Sequence, residues 1–293
     1  MRRRGPNRER MQIRKLGSVP NEVRNRRNHG SNLGATFSPA GWGAPLRTGL
    51  KICARPARVI SIVVPTYREA DNLALLAKAV DEALSGPGYD YELLFIDDDS
   101  QDGSEEICTE LSARLPVRIV VRKGERGLAT AVIHGISVAS GDIVVVMDAD
   151  LSHPASAIPA MIERLESGES DFVLGSRYVE GGSIHEDWSI LRQLNSIIPS
   201  LLAKPLCPLK DPMSGFFAIR RTDMPKRSRL SPIGYKIALE IFVKGGFARP
   251  SEVPIHFSDR QHGESKLSLK EQLNFLRHLG RLFAYKLRPG RET

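Results

Sequence analysis

The chain has 293 residues, 41% apolar and 26% charged, close to the average of soluble proteins, so a full hydrophobic core and one domain of about 200–250 residues with an appendage are expected. The formal net charge is +8, yet residues 1–58 carry 14 Lys/Arg against Glu9 and Glu22, which leaves −4 for the rest and excludes a globally basic, nucleic-acid-binding body. Cys53, Cys108 and Cys207 are odd in number and lack C-x-x-C spacing, which excludes a disulfide framework and a zinc site and fits a reducing cytoplasm.

Residues 1–57 mix Arg runs (Arg2 to Arg4, Arg26-Arg27) with Asn, Gly, Ser and Pro and show no sustained period, so a disordered basic tail is expected there, followed by a folded domain over 58–290. The tail reads either as an arm for anionic lipid or nucleic acid or as a solvated extension. It lacks the apolar core of a secretory signal. No window approaches 18 uncharged apolar residues, so any meeting with a membrane is expected at its surface.

From Val59 to Val64 the chain reads as a first strand, ended by Pro65. Leu73, Leu76, Val80 and Ala83/Leu84 then recur at helical steps, with Asp71 or Asn72 able to cap the helix start. Leu93 to Ile96 reads as a second strand, Ile107, Leu111 and Leu115 stripe a second helix, and Val117 to Val121 forms a third strand. A helix over Ala129 to Ala139, a strongly apolar strand over Ile143 to Met147, a helix opened by Pro154 and a short strand over Phe172 to Leu174 follow. Strand-helix repetition with runs apolar on both faces predicts an α/β fold, a mostly parallel Rossmann-like sheet with helices on both faces, and such sheets bind ligands at the carboxyl ends of their strands.

Pro65-Thr66-Tyr67-Arg68-Glu69, Asp97-Asp98-Asp99-Ser100, Asp148-Ala149-Asp150 and Gly175-Ser176-Arg177 stand at those ends. Asp148 and Asp150 are one residue apart past a buried strand, where two carboxylates point the same way and can share a hard cation, Mg²⁺ or Mn²⁺, with diphosphate oxygens completing the shell. A solvated acidic turn is the alternative, weakened by the apolar strand that leads into it. Three acids at Asp97 to Asp99 need cations or hydrogen-bond donors to meet them; Asp98 is assigned a ligand role, while Asp102 and Ser104 suit helix capping as well. Neither a P-loop nor a G-x-G-x-x-G fingerprint is present.

Pro65-Thr66-Tyr67-Arg68-Glu69, Asp97-Asp98, Asp148-Ala149-Asp150, Gly175-Ser176-Arg177-Tyr178, Asp211-Pro212-Met213-Ser214-Gly215-Phe216-Phe217, and Arg260 with Gly263-Glu264-Ser265-Lys266 together resemble the family 2 glycosyltransferases of the dolichol-phosphate mannose synthase group, in order from about residue 60 to 285. The resemblance implies a GT-A fold and inverting transfer of mannose from GDP-mannose to a polyprenyl phosphate, giving a β-linked product. It also implies that Pro65, Tyr67, Glu69, Ile96 and Asp98 contact the nucleoside and that Asp148, Ala149 and Asp150 hold metal and diphosphate. Arg177, Arg260 and Lys266 would engage the phosphates, so that Asp150, Arg177, Arg260 and Lys266 form the catalytic set. Some relatives carry Gln as a third metal ligand two residues after the second Asp; here Ser152 stands there, and either its hydroxyl coordinates or water takes over.

A phosphate monoester with a second pKa near 6 is already substantially dianionic at neutral pH, so the acceptor needs no general base. Alignment and stabilisation of the departing diphosphate are the demanding tasks. Two stretches suit a lipid interface. Leu269, Leu273, Leu276, Leu279, Phe283 and Leu287 share one face of a helix near 268–287, for which ordinary docking on the sheet is an equal alternative. A more apolar helix is expected near 188–204. His153, His185 and His262 lack a second His at ligand spacing and receive no role.

The resemblance thus implies an enzyme peripheral at the cytoplasmic face of a membrane, with a nucleotide-sugar donor, a polyprenyl phosphate acceptor and room for a separate membrane anchor protein, and no specific nucleic acid. The same transfer from a UDP-sugar is the alternative donor reading. A silent sugar-nucleotide-binding protein is the non-enzyme alternative, disfavoured by the intact acids.

Overall fold

The computed structural model describes residues 59–184, 190–231, 233–258 and 269–287. The basic segment 1–57, Arg260, Lys266, His185 and His262 lie outside the described residues. Strands β1 (Val59–Thr66), β2 (Asp90–Asp97), β3 (Val117–Val121), β4 (Ile143–Val146) and β5 (Phe172–Ser176) alternate with helices α1 (Ala70–Ser85), α2 (Ser104–Ser112), α3 (Leu128–Val138) and α4 (Ile158–Glu166). Then come β6 (Ser183–Ile184), α5 (Ile190–Ala203), β7 (Phe217–Arg220), α6 (Ile237–Gly245), β8 (Pro250–Pro254), β9 (His256–Phe257) and α7 (Leu269–Leu287). The main sheet runs β3-β2-β1-β4-β7-β5-β8, and β6 pairs with β9 apart from it.

Burial on both faces explains why these strands are apolar throughout. Ile60, Ile62, Val64, Phe95, Ile143 and Val145 share one core layer with α1 and α4. Val63, Leu94, Ile96, Val144 and Val146 share the other with α3, α6 and α7. Each such side chain stabilises the fold by roughly 1.5–3 kcal/mol. Alternate residues of one strand therefore serve opposite layers, as the two-residue period demands. Helix α3 rides close on the sheet because Gly135 has no side chain: a Cβ there would lie 2.4 Å from Val63 Cγ1 and 2.9 Å from Ile96 Cγ1. Gly135→Ala would force the two apart.

Two strands differ from the sequence expectation. β7 enters between β4 and β5 and runs antiparallel to both, and β8 extends the edge beside β5. The helix cap also differs. α1 starts after Glu69, not at Asp71 or Asn72; the Asn72 amide donates to the Glu69 carboxylate at 2.7 Å, and the Ala70 N–H donates to Asp102 at 3.2 Å. Asp102 also accepts from the Ser104 N–H at 3.2 Å and its hydroxyl at 2.6 Å. One carboxylate thus serves the first turns of two helices, which answers what Asp102 and Ser104 do.

Both apolar helices named above are present. α7 buries Phe275, His278, Leu279 and Leu282 while exposing Leu273, Leu276 and Leu287; α5 exposes Ile197, Ile198, Leu201 and Leu202. Docking on the body and presenting leucines outward are therefore properties of different stripes of α7. No helix among the described residues is long and apolar enough to cross a membrane.

Candidate functional site

The site assembles where β1, β2, β4 and β5 end and β7 begins. Past Val146 the ladder continues for one bond, Met147 N–H to Val63 carbonyl at 3.1 Å, and then the chain turns sharply at Leu151, whose φ of +61° is an uncommon conformation for a bulky side chain. That turn folds Ser152 back on Asp150, whose Oδ1 accepts the Ser152 N–H at 3.1 Å and hydroxyl at 2.5 Å. Asp150 and Ser152 are buried. Ser152 therefore orients the carboxylate, donating its hydroxyl proton to it.

Asp148 is the open member of the pair, its side chain 32% exposed. Its N–H donates to His153 Nδ1 at 3.1 Å, while its carboxylate lies 3.9 Å from the same nitrogen. His153 is stacked on Phe216, ring centroids 5.1 Å apart, and meets the edge of Phe257 at 5.7 Å. Burial holds the His153 pKa below its usual value against the pull of Asp148 and Asp150. A neutral ring with Nδ1 as acceptor offers Asp148 no charge compensation. Gly215 stands beside both: a Cβ there would lie 3.6 Å from both Asp148 carboxylate oxygens and 3.8 Å from His153 Cε1, so the bare glycine leaves that space to the carboxylate.

These residues fit a divalent cation that leaves most of its shell to substrate. Among the described residues, no cluster of three or more His, Cys, Asp or Glu could hold a metal. Two carboxylates with an open flank suit Mg²⁺ or Mn²⁺ completed by phosphate oxygens and water.

At the ends of β1 and β2 the acids are met by donors. Asp97 accepts from the Thr66 hydroxyl at 3.3 Å and from the Ser100 N–H and hydroxyl at 2.8 and 2.5 Å. Asp98 receives Nε of Arg122 at 2.8 Å, a further bond from Arg122 Nη2, and the Gly127 N–H at 2.7 Å. The ligand role expected of Asp98 thus meets a carboxylate already filled by the β3–α3 loop. Ile96 is likewise fully buried beside Gly135, so its side chain has no face for a nucleoside. Pro65, Tyr67 and Glu69, at the end of β1 and just past it, are half-buried, and Ala149 is buried between Asp148 and Asp150 in sequence. Arg68, Asp99 and Gln101 all have positive φ, which places strained backbone on both loops here. The Tyr67 ring has the Arg68 guanidinium 5.4 Å and the Arg126 guanidinium 4.6 Å from its centroid.

Past β5, Arg177 forks onto Asp211, which is fully buried. Nε and Nη2 donate at 2.7 and 2.8 Å, and the Arg177 N–H adds a third bond at 3.1 Å. Burial alone would lower the Arg177 pKa, but Asp211 outweighs it and the net shift is upward. Glu252 on β8 braces the loop by accepting the Asp211 and Lys210 N–H groups at 2.9 and 2.8 Å.

The structure therefore gathers Asp148, Ala149, Asp150, Ser152 and Arg177 around the start of β7, with Pro65, Tyr67, Glu69, Ile96 and Asp98 at the neighbouring strand ends. Sequence reasoning missed His153, Arg122 and the separate parts of Asp211 and Gly215. The last two stood inside a quoted motif, whereas His153 and Arg122 carry no local signal.

The family described as glycosyl transferase family 2 matches residues 61–226. The chain is 45% identical over 231 residues to the dolichol-phosphate mannosyltransferase of Pyrococcus furiosus, covering 78% of this chain and 64% of the relative. It is 38% identical to the enzymes of the same name from Mycosarcoma maydis and Saccharomyces cerevisiae, spanning 79% and 87% of their lengths and 77% of its own. Among solved structures, glucosyl-3-phosphoglycerate synthase from Mycobacterium tuberculosis, in complex with Mn²⁺, UDP-glucose and phosphoglyceric acid, superposes with a TM-score of 0.55 at 19% identity over 76% of this chain and 80% of that one. That likeness concerns the GT-A fold.

Proposed function

The chain belongs to glycosyl transferase family 2, and from that footing we propose that it transfers mannose from GDP-mannose to the phosphate of a polyprenyl lipid. The observation that carries the site reading is Asp148: a partly exposed carboxylate beside a neutral histidine and a bare glycine. Such a group calls for a cation. Names of the relatives, dolichol-phosphate mannosyltransferase in all three, support mannose and a lipid phosphate.

In this reaction an oxygen of the lipid phosphate forms a bond to C1 of mannose as the bond from C1 to the GDP diphosphate breaks, and the electron pair leaves with GDP. Attack from the opposite face inverts C1 to the β-linked product. The acceptor is already anionic, which accords with a site whose buried His153 is already engaged with the Asp148 N–H. Asp148 and Asp150 would hold Mg²⁺ or Mn²⁺, which supplies Lewis-acid neutralisation of the leaving diphosphate. Arg177, held in place by Asp211, would engage the phosphates together with Arg260 and Lys266. Tyr67, Pro65 and Glu69 would wall the nucleoside.

The exposed leucines of α5 and α7 support a protein that rests on a membrane; the cytoplasmic face and a separate anchor protein belong to the same proposal. The direct test is incubation of the purified chain with labelled GDP-mannose, Mn²⁺ and a short polyprenyl phosphate, with UDP-glucose in parallel. Labelled lipid from GDP-mannose is the expected result. Product from UDP-glucose alone would overturn the donor, and product from neither would overturn the transferase reading.

A further inference from the structure

Two arginines four residues apart on the β3–α3 loop differ in what occupies them. Arg122 is buried and engaged on all sides: Asp98 takes Nε and Nη2, while Thr130 at 3.1 Å and Glu125 at 3.2 Å take Nη1. Arg126 is exposed and, among the described residues, its guanidinium lies over the Tyr67 ring with no hydrogen bond or ion pair. Glu125, the adjacent acid, is turned to Arg122 instead. The loop is pinned at both ends, by Arg122 N–H to the Asp97 carbonyl and by Gly127 N–H to Asp98, each at 2.7 Å. Residue 126 therefore has a fixed backbone and an unused fork of donors beside the nucleoside wall.

We propose that Arg126 reads the donor base, favouring guanine over uracil by directing two donors at adjacent acceptors of the purine. This rests on the donor reading above, in which Tyr67 contacts the nucleoside. Guanine presents O6 and N7 side by side on one edge, and a guanidinium fork matches that spacing with two parallel hydrogen bonds. Uracil has no ring-nitrogen acceptor beside its O4, so it can engage only one arm of the fork. Asp98 is unsuited to the task because its carboxylate is filled by Arg122 and Gly127, and releasing it would strand a buried arginine.

The test is titration of the full chain with GDP and with UDP in the presence of Mn²⁺, for wild type, Arg126→Ala and Arg126→Lys. GDP should bind more tightly than UDP to wild type. Arg126→Ala should lose roughly 5- to 150-fold in GDP affinity and clearly less in UDP affinity, since uracil engages only one arm of the fork. Arg126→Lys should fall well short of wild type for GDP, because an ammonium keeps the charge and lacks the fork. Equal losses for the two nucleotides would mean a charge contact to the diphosphate and would overturn the proposal, as would undiminished GDP preference in Arg126→Ala. A wild type that prefers UDP would overturn the GDP donor itself, separately from anything the variants do.

Discussion

Arg177 and Asp211 meet through two parallel hydrogen bonds, Nε to Oδ2 at 2.7 Å and Nη2 to Oδ1 at 2.8 Å, with the Arg177 main-chain N–H donating to the same Oδ2 at 3.1 Å. The pair ties the end of β5 to the loop that enters β7, so charge placement and loop position are set by one contact.

Removing Asp211 should therefore harm the fold and the site together. Asp211→Ala leaves a buried guanidinium uncompensated, a loss of about 3–5 kcal/mol, which should lower Tm by ~6–20 °C in a domain of this size. Arg177→Lys retains the charge without the fork; its Tm should drop less than that of Asp211→Ala while turnover falls ~30- to 1,000-fold. Thermal melts and initial rates on the two variants check the split.

Metal removal gives a second outcome. With GDP, Mn²⁺ at ~100 times its Kd should stabilise wild type by about 2.7 kcal/mol, reversibly with EDTA. Asp148→Asn and Asp150→Asn should lose that increment and metal-dependent turnover with the fold intact. In EDTA, Asp148→Asn should melt no lower than wild type, since its carboxylate makes no hydrogen bond among the described residues. Full Mn²⁺ stabilisation in both variants would show that the acids are not ligands.

The buried Glu240 of α6 gives a pH prediction. Burial alone would raise its pKa, but His278 of α7, Lys244 and the Ser231 N–H outweigh that and hold it down to about 2. The Lys244 ammonium lies 2.5 Å from Oε1, and His278 Nε2 lies 3.3 Å from Oε2. A folded-state pKa below the unfolded one means stability that is full above the unfolded value of 4.5 and lost as pH falls toward 2, a contribution on the order of 3 kcal/mol. Urea unfolding of Glu240→Gln against wild type should show a deficit near pH 7 that shrinks steadily below pH ~4.5. A deficit constant down to pH ~2 would contradict the carboxylate's role.

The exposed leucines make a fourth test. Leu201→Ser and Leu276→Ser should leave Tm near wild type, because both side chains are already exposed, yet each should weaken sedimentation with anionic lipid vesicles by about tenfold or more if the leucine enters the interface. Unchanged vesicle binding in the double variant would contradict membrane contact by these helices.

The parallel half of the sheet was legible because strands covered on both faces are apolar at every position, as in Ile143 to Val146. β7 was not, since four residues of Phe-Ala-Ile-Arg carry no sign of direction, and its antiparallel course is settled by pairing with β4 and β5. β8 was hidden differently: an edge strand that begins and ends in proline, half-buried for most of its length, shows neither an apolar run nor alternation. At the site, Asp148 and Asp150 were readable from the strand that precedes them. His153 was not, because its meaning comes from Phe216 and Phe257, far away in sequence. The Arg122 partner of Asp98 was not legible either, since it follows the neighbouring strand β3 and only the pairing of β2 with β3 brings it there.

The antiparallel course of β7 turns its register into a ruler for the cation. Phe217 is paired with Val146, so Gly215 arrives beside Asp148 by counting two residues back along one strand and two forward along the other. A slip of β7 by two residues would keep every side chain on its proper face, while taking Phe217 off its stack on Phe172. The glycine would meanwhile be carried ~7 Å along the strand, and a bulkier neighbour would take the cleared space. Alignment of one short strand, four residues long, thus decides which residue faces the Asp148 carboxylate.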